Sequence, residues 1–206
     1  MSKSIVIVRH GETDWNARGR LNSYTDVPLN AKGKAQAQAV GRSLIDFQPD
    51  LVVVSPSLRA QQTCELLLEA ATHPATDFLI DENLRELDFG RFEGMARFGP
   101  GDESFKQAFS EWIGGHGPAS PHGDQERLED ATSRANAVIR GIEDSPAKRV
   151  ILVSHGHFCR ILLCTWVLGL GAEHHRRLRF DNARIAQVSV SESERRLVSF
   201  NSSDLV

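Results

Sequence analysis

The stretch SIVIVRHGETDWN, residues 4–16, joins an apolar run to a cluster of polar side chains. Ile5 to Val8 are apolar and β-branched, which predicts a short buried strand. The polar side chains that follow are those of Arg9, His10, Thr13 and Asn16. A guanidinium group, an imidazole, a hydroxyl and an amide all suit an anion or a phosphate. An Arg-His-Gly triplet after a strand is more often structural than functional, so the triplet alone does not indicate a site.

Two later stretches repeat this arrangement of a buried strand followed by polar residues that open a helix. They are LVVVSPSLRAQQT at 51–63 and VILVSHGHFCRI at 150–161. They put Arg59 and His155 in the position that His10 has after the first strand. Ligands of open α/β sheets bind outside the carboxyl ends of the strands, so the three segments predict one shared site.

Arg59 falls in the first turn of its predicted helix. A cation near the positive end of a helix dipole costs about 0.3–1 kcal/mol unless an anion is also present. The position therefore favours a phosphate beside Arg59. The alternative is an arginine that turns out into solvent at negligible cost.

Length, composition and charge limit the classes of protein that the chain can belong to. With 206 residues, 40% of them hydrophobic, it can bury one sizeable core, and we expect one domain. The formal net charge of −3 provides no overall basic field, so no nucleic-acid partner is expected. No apolar run reaches the ~18 residues of a membrane span, and MSKSIVIV is too short for a signal peptide, so we expect a cytoplasmic protein without a membrane partner. The cysteines lack the CxxC spacing of zinc or redox sites and are expected to be buried thiols; they are Cys64, Cys159 and Cys164.

The rest of the chain predicts alternating helices and strands. Asn30 is expected to cap a helix that runs to about Phe47, and Ser57 a helix from Leu58 to Ala71. Further helices are predicted at 105–113, 127–143 and 157–168, and further strands at 51–54, 150–154, 185–190 and 197–200. This alternation argues for an α/β sandwich with helices on both faces of the sheet.

The convergent side chains suit phosphoryl transfer. Two guanidinium groups can hold a phosphoryl group, whose charge near neutral pH is about −1.5 to −2. A neutral His10 can attack phosphorus, because Gly11 leaves room for its ring, and a charged His155 can donate to the phosphate oxygens. Glu86 can give the leaving alkoxide its proton if a phosphate dianion keeps the carboxyl group protonated, although a lone glutamate in a loop is more often solvated. Because the guanidinium groups neutralise the developing charge, neither a metal nor a cofactor is expected.

These residues resemble the histidine phosphatase superfamily, in its phosphoglycerate mutase-like branch, over nearly the whole chain. The motifs that carry the resemblance are Arg9-His10-Gly11-Glu12-Thr13 with Trp15-Asn16, Thr25-Asp26 to Leu29, Ser55-Pro56 with Arg59 and Thr63, Glu86 with Phe89-Gly90 and Glu93-Gly94, Ser154-His155-Gly156, and Asp181-Asn182-Ala183. The resemblance implies a three-layer α/β/α sandwich with a mostly parallel six-stranded sheet. It also implies a single domain over residues 1–206 with a small helical lobe inserted at about 90–126.

The resemblance further implies a role for individual side chains. His10 would be the phosphorylated nucleophile and Glu86 the proton donor. The phosphate pocket would be formed by Arg9, Arg59 and His155, with the amide of Asn16. Further substrate or phosphate contacts are expected at Asn22, Ser23 and Gly156. The partner would be a small phosphorylated metabolite.

The superfamily contains both mutases and phosphatases, and this chain departs from the mutases. Mutases that resemble it carry Thr-Gly-Trp at Asn22-Ser23-Tyr24 and a tyrosine at Phe89. Residues 95–126 also lack the Arg-Arg pair that binds the substrate carboxylate in mutases. We therefore favour a phosphatase of small phosphomonoesters. The alternatives are a cofactor-dependent phosphoglycerate mutase and a non-catalytic module that binds a phosphorylated ligand.

The non-phosphate half of a substrate is expected against residues 87–126 and the loop near Tyr24. Aromatic side chains there can line an apolar pocket, but core packing is the more usual role; they are Phe98, Phe105, Phe109 and Trp112. His116 and His122 are expected to be solvated. The sequence His174-His175-Arg176-Arg177 predicts a basic surface patch.

Overall fold

The computed structural model describes residues 2–73, 76–97, 103–115, 120 and 123–205. The strands are β1 (Lys3–Arg9), β2 (Leu51–Val54), β3 (Leu79–Ile80), β4 (Arg149–Ser154), β5 (Ile185–Val190) and β6 (Arg195–Ser202). The helices are α1 (Asp14–Ala17), α2 (Ala31–Ser43), α3 (Leu58–Ala70), α4 (Glu103–Ile113), α5 (Leu128–Asp144) and α6 (Gly156–Leu162).

The strands form one six-stranded sheet in the order β3-β2-β4-β1-β5-β6. The first four of these are parallel to one another. Strand β5 is antiparallel to β1, and β6 is antiparallel to β5. The predicted three-layer sandwich with a mostly parallel sheet is confirmed.

Strand β1 is buried on both faces, as a central strand of such a sheet should be. Ile5 and Ile7 belong to the apolar core that the sheet shares with α5 and α6. Val6 and Val8 belong to a second core, on the opposite face, shared with α2 and α3. The alternation along one strand thus joins both helical layers to the sheet.

Several helix boundaries differ from the sequence predictions. The side chain of Asn30 caps α2 as predicted, by accepting from Gly33 N at 2.8 Å, but the helix ends at Ser43 and does not reach Phe47. Ser57 stands at the start of α3 without a capping bond from its side chain. The carboxylate of Asp26, in a preceding loop, accepts from Leu58 N at 3.0 Å and caps α3 in its place. The helix predicted for 157–168 is α6 followed by a π-helical turn at Leu163–Val167.

The aromatic side chains of α4 form a packed cluster with two aromatic residues that precede the helix. Phe92 stacks on Trp112 with ring centroids 5.8 Å apart, and Phe89 meets Phe109 edge to face at 6.0 Å. Since Phe109 and Trp112 are buried, core packing is their role. Outside the described residues lie Phe98, His116 and His122.

The prediction of a basic surface patch at 174–177 is wrong for one of its members. These residues form a 3-10 helix, and His175 within it is fully buried. The three cysteines are buried free thiols, as predicted. Among the described residues no helix is both long and apolar enough to cross a membrane.

Candidate active site

The two histidines of the sequence motifs lie side by side at the carboxyl edge of the sheet. In the parallel pair β1–β4, Arg9 is opposite Ser154, so the next residue of each strand, His10 and His155, enters the same space. The centroids of their rings are 5.2 Å apart and the ring planes are inclined at 59°. Strand β2 lies on the other side of β4 and brings Ser55 to the same edge.

The ring of His10 is held in one tautomer. Its Nδ1 lies 2.7 Å from the carbonyl oxygen of Gly11, and because a carbonyl only accepts, Nδ1 carries the hydrogen and Nε2 a lone pair. Burial, together with the charges of Arg59 and Arg9, lowers the pKa of His10 well below its ordinary value. His10 is therefore neutral near neutral pH, and its Nε2 carries the lone pair of the ring.

Gly11 is required by close packing of the loop after β1. A Cβ atom there would lie 2.5 Å from the carbonyl oxygen of Gly33 in α2. The amide of Gly11 donates to the hydroxyl of Thr63 at 3.0 Å, and that hydroxyl donates to Arg59 O at 2.6 Å. Helices α2 and α3 thus fix the backbone that holds the ring of His10.

Arg9 lies against the start of α6. Its Nη1 donates to Phe180 O at 2.6 Å, whereas its buried Nε has no hydrogen-bond partner in the part of the chain that the structure describes. A Cβ atom at Gly156 would be 3.1 Å from Cζ and Nε of Arg9, so a glycine lets the guanidinium lie against the helix. Burial lowers the pKa of Arg9.

Arg59 is fully buried and mainly organises the loop before α2. It donates to Ser23 O at 2.7 Å and to Thr25 O at 3.2 Å. Burial lowers its pKa to about 10, so the side chain still carries its charge near neutral pH. Only Nε lacks a partner among the described residues, and this buried donor is the atom that an anion would satisfy.

His155 is a neutral ring with both nitrogens hydrogen-bonded. Its Nδ1 lies 3.1 Å from Nη2 of Arg59, which can only donate, so Nδ1 accepts and Nε2 donates to Ser55 Oγ at 2.7 Å. Burial and the neighbouring Arg59 and His10 lower the pKa of His155 well below its ordinary value. The charged donor expected from the sequence would therefore require at least one of these two bonds to break.

Glu86 is not a solvated loop residue, because its carboxyl group is buried beside α6. One oxygen accepts from His157 N at 3.0 Å, and the other accepts from Phe158 N at 2.9 Å and Leu87 N at 3.1 Å. A carboxyl group offers about four lone-pair sites, so one remains for a substrate. The first turn of α6 therefore fixes the direction in which Glu86 can exchange a proton.

Asn16 is oriented by its amide oxygen. That oxygen accepts from Thr13 N at 3.2 Å and from the side chain of Asn182 at 3.1 Å. The amide nitrogen of Asn16 is left as the donor for the cavity that this residue lines. Asn182 also donates to His10 O at 3.1 Å, so one side chain supports both residues.

Asn22 and Ser23 belong to a loop organised by Glu93. This carboxylate accepts from the amide and the hydroxyl of Ser23, the first at 2.8 Å, and from Thr25 N at 3.1 Å. Asn22 lines the cavity and its buried Oδ1 has no partner among the described residues. Ser23 is buried and its hydroxyl accepts from Phe89 N, so it positions the backbone of a residue that lines the cavity.

A cavity of about 500 Å³ opens in front of these residues. Of the side chains expected at the site, those that line it are Arg9, His10, Asn16, Asn22 and Glu86, together with the backbone of Gly156. Arg59, His155 and Ser23 lie behind this wall. Further basic side chains also line it, beside the acidic Asp181; they are Arg20, Arg97, His157, Arg160, Arg176 and Arg179.

The family model of the histidine phosphatase superfamily (branch 1) matches residues 5–203. The chain belongs to the histidine phosphatase superfamily.

Curated relatives within the superfamily carry both kinds of name. The chain is 32% identical to the protein named Uncharacterized phosphatase PhoE of Bacillus subtilis, over 96% of this chain and 94% of that protein. It is 33% identical to the protein named "Probable phosphoglycerate mutase GpmB" of Escherichia coli, over 92% of this chain and 86% of the relative. Among solved structures, the alpha-ribazole phosphatase of Shigella flexneri superposes with a TM-score of 0.84 at 25% identity, covering 98% of both chains.

The sequence did not reveal the residues that support the predicted site residues or line the rest of the cavity. Glu93 and Asn182 stand in motifs that carry the resemblance, but nothing in the sequence shows that their side chains orient the loop and Asn16. His157 and Arg160 follow His155 by two and five positions and face the cavity from α6. Arg176 comes from the segment interpreted as a surface patch, and its guanidinium is anchored on Ser110 O at 2.8 Å. Among the described residues, no group of three potential metal ligands is found.

Proposed function

We propose that this protein is a phosphohydrolase that removes phosphate from small phosphomonoesters through a phosphohistidine at His10. The observation that carries the proposal is the state of that ring. It is buried, neutral, held in the Nδ1–H tautomer by Gly11 O, and flanked by two guanidinium groups. A free imidazole nitrogen beside fixed positive charge is what an in-line attack on a phosphate requires.

In the first step, His10 Nε2 forms a bond to phosphorus while the bond from phosphorus to the leaving oxygen breaks. The leaving alkoxide takes a proton from Glu86, so a neutral alcohol and a Glu86 carboxylate result. General acid catalysis of this kind contributes about 10²- to 10⁴-fold. The unpartnered Nε of Arg9 and the amide nitrogen of Asn16 would hold the phosphoryl oxygens. Arg59 lies behind the cavity wall, so its charge would stabilise the phosphoryl group, and its unpartnered Nε would bind only an oxygen that penetrates this wall.

In the second step, water attacks phosphorus and the bond between nitrogen and phosphorus breaks. Glu86, now ionised, takes the proton of the water, and inorganic phosphate and neutral His10 are released. His155 would reach the phosphate only by exchanging its bond with Arg59 or Ser55. We propose this exchange as its contribution to the pocket.

The labelling experiment tests the nucleophile. Protein incubated with a ³²P-labelled phosphomonoester and quenched should carry an acid-labile, base-stable label, which His10→Ala cannot form. His174→Ala, at a half-buried histidine outside the cavity, is the matched control and should label like the unaltered protein. A stoichiometric label on the His10→Ala protein would refute the assignment.

Phosphoglycerate mutase activity is the second candidate, because the relatives named GpmB are 33–34% identical to this chain. Phe89 argues against it, since a buried phenyl ring that lines the cavity offers no hydroxyl to a phosphoglycerate. Conversion of 3-phosphoglycerate to 2-phosphoglycerate, assayed with 2,3-bisphosphoglycerate present, separates the candidates. Isomerisation faster than phosphate release would favour the mutase, and binding without turnover of any ester would favour a non-catalytic module.

A further inference from the structure

Two buried histidines are hydrogen-bonded to each other, and one of them, His157, lines the cavity. His157 is in the first turn of α6, and His175 is in the 3-10 helix Ala172–Arg177. Nδ1 of His157 is 2.9 Å from Nε2 of His175, and the two ring centroids are 5.1 Å apart. The proposed reaction uses neither ring.

The hydrogen bonds of the pair run in one direction. Nδ1 of His175 lies 2.8 Å from the carbonyl oxygen of Ala172, which can only accept, so this nitrogen carries a hydrogen. Burial lowers the pKa of His175 to about 3, so the ring is neutral and its Nε2 is an acceptor. His157 must then donate from Nδ1, which leaves the lone pair on its Nε2.

That lone pair belongs to a ring that lines the cavity. His157 is 6% exposed, and its Nε2 has no hydrogen-bond partner in the described part of the chain. The backbone amide of His157 donates to Glu86, the group that we propose protonates the leaving oxygen.

The surrounding charges select the chemical class of the donor. Burial and the cations Arg160, Arg97 and Arg9 all hold the pKa of His157 well below its ordinary value. The same cations disfavour an ammonium group, and an ionised carboxylate has no hydrogen to donate to the lone pair. A neutral hydroxyl satisfies both conditions.

We propose that His157 Nε2 accepts a hydrogen bond from a hydroxyl group on the leaving group of the substrate, and that His175 is the positioning residue that keeps this nitrogen unprotonated. The inference rests on the proposed phosphatase function and narrows it to hydroxyl-bearing phosphomonoesters such as polyol and sugar phosphates. A pocket built to pair with a hydroxyl discriminates against the analogue that lacks it, because its own polar group is then left unpaired.

The test compares 2-hydroxypropyl and 3-hydroxypropyl phosphate with propyl phosphate. The unaltered protein should prefer at least one hydroxylated ester by about tenfold in kcat/KM, which corresponds to about 1.4 kcal/mol. His157→Phe should abolish this preference. The ratio between substrates is the readout because it cancels general losses of activity.

A spectroscopic arm tests the positioning role. In protein labelled with ¹⁵N-histidine, the ring of His157 should show the Nδ1–H tautomer, and 2-hydroxypropylphosphonate or its 3-hydroxy isomer should shift the Nε2 resonance more than propylphosphonate does. In His175→Phe, the His157 ring should no longer be held in the Nδ1–H tautomer, and the preference for the hydroxylated ester over propyl phosphate should fall. His175→Gln, whose amide oxygen can accept from His157, should partly restore both the tautomer and this preference.

The outcomes separate this inference from the proposed function. Hydrolysis of all three esters at similar rates, or a proton on Nε2 of His157 in the unaltered protein, would overturn the inference and leave the phosphatase intact. Failure to hydrolyse any phosphomonoester would overturn both.

Discussion

Replacement of Gly156 by alanine tests whether Arg9 is as tightly confined as its contacts imply. The added Cβ would lie 3.1 Å from both Cζ and Nε of Arg9, whereas carbon atoms in optimal contact are about 3.5–4.0 Å apart. The guanidinium would have to withdraw by roughly half an ångström. Its Nη1 is already fixed to Phe180 O at 2.6 Å, so the movement disturbs that bond or shifts the unpartnered Nε.

The effects on stability and on activity should have different sizes. Gly156 is the first residue of α6, where alanine favours the helix by up to about 1 kcal/mol and offsets part of the steric cost. Displacing a charged donor from phosphate costs about 1.5–3 kcal/mol. We therefore expect kcat/KM to fall about 10- to 100-fold while the free energy of unfolding changes by less than about 1 kcal/mol.

The assay is hydrolysis of a phosphomonoester together with urea denaturation of the same preparation. Gly141→Ala is the matched control, because Gly141 lies in α5 with no atom within 4 Å of the added Cβ. It should stabilise the protein by about 0.5–1 kcal/mol and leave kcat/KM unchanged. Full activity of Gly156→Ala would show that the position of Arg9 is not critical, and a large loss of stability would show that the lost activity reflects unfolding.

Three further predictions concern other parts of the site. Glu86→Gln should slow hydrolysis of alkyl phosphates by on the order of 100- to 10,000-fold but affect p-nitrophenyl phosphate far less, because that leaving group hardly needs a proton; equal losses on both in steady-state assays would remove the donor role. Thr63→Val leaves the amide of Gly11 buried without its acceptor and should lower the free energy of unfolding by about 1–3 kcal/mol in urea titrations, and an unchanged midpoint would contradict the bond. The folded pKa of His175 is about 3 against ~6.5 unfolded, so the unfolded chain binds the extra proton and stability is lost as pH falls from about 6.5 towards 3. Between about pH 7 and pH 5, His175 should lower the free energy of unfolding by about 2 kcal/mol, as measured by urea denaturation at both pH values. If the His175→Gln protein loses as much stability over this range as the unaltered protein does, the low pKa of His175 is refuted.

The fold could be predicted from the sequence because its signals are local. In β1, β2 and β4 an apolar run is ended abruptly by polar residues, as after Val8 and Val54, whereas β3 is a two-residue exposed strand that no sequence pattern predicted. The predicted placement of His10 and His155 at one edge follows from parallel pairing of β1 and β4, which the structure contains. The start of α3 at Leu58 was predicted correctly but its capping residue was not, because Asp26 from a distant loop caps the helix and no local pattern marks that contact.

The tasks of individual side chains within the site could not be predicted, because they depend on which groups share a buried space. An arginine after a strand suggests bidentate binding of a phosphate, yet Nη1 and Nη2 of Arg59 donate to backbone carbonyl groups within residues 22–25. A His-His-Arg-Arg sequence suggests a solvated surface, yet His175 is buried against His157. Sequence spacing shows which residues come near one another, and only the three-dimensional arrangement shows which hydrogen bonds they make.

The position of β1 between β4 and β5 has a consequence for biosynthesis. Both neighbours of the first strand are encoded in the last third of the chain, after Arg149. While the ribosome is still translating the earlier residues, the nascent β1 has two open edges and an apolar surface with no partner, which favours aggregation or chaperone binding. The pairing of His10 with His155 thus forms only late in translation, and truncated products carry His10 without the strand that brings His155 beside it.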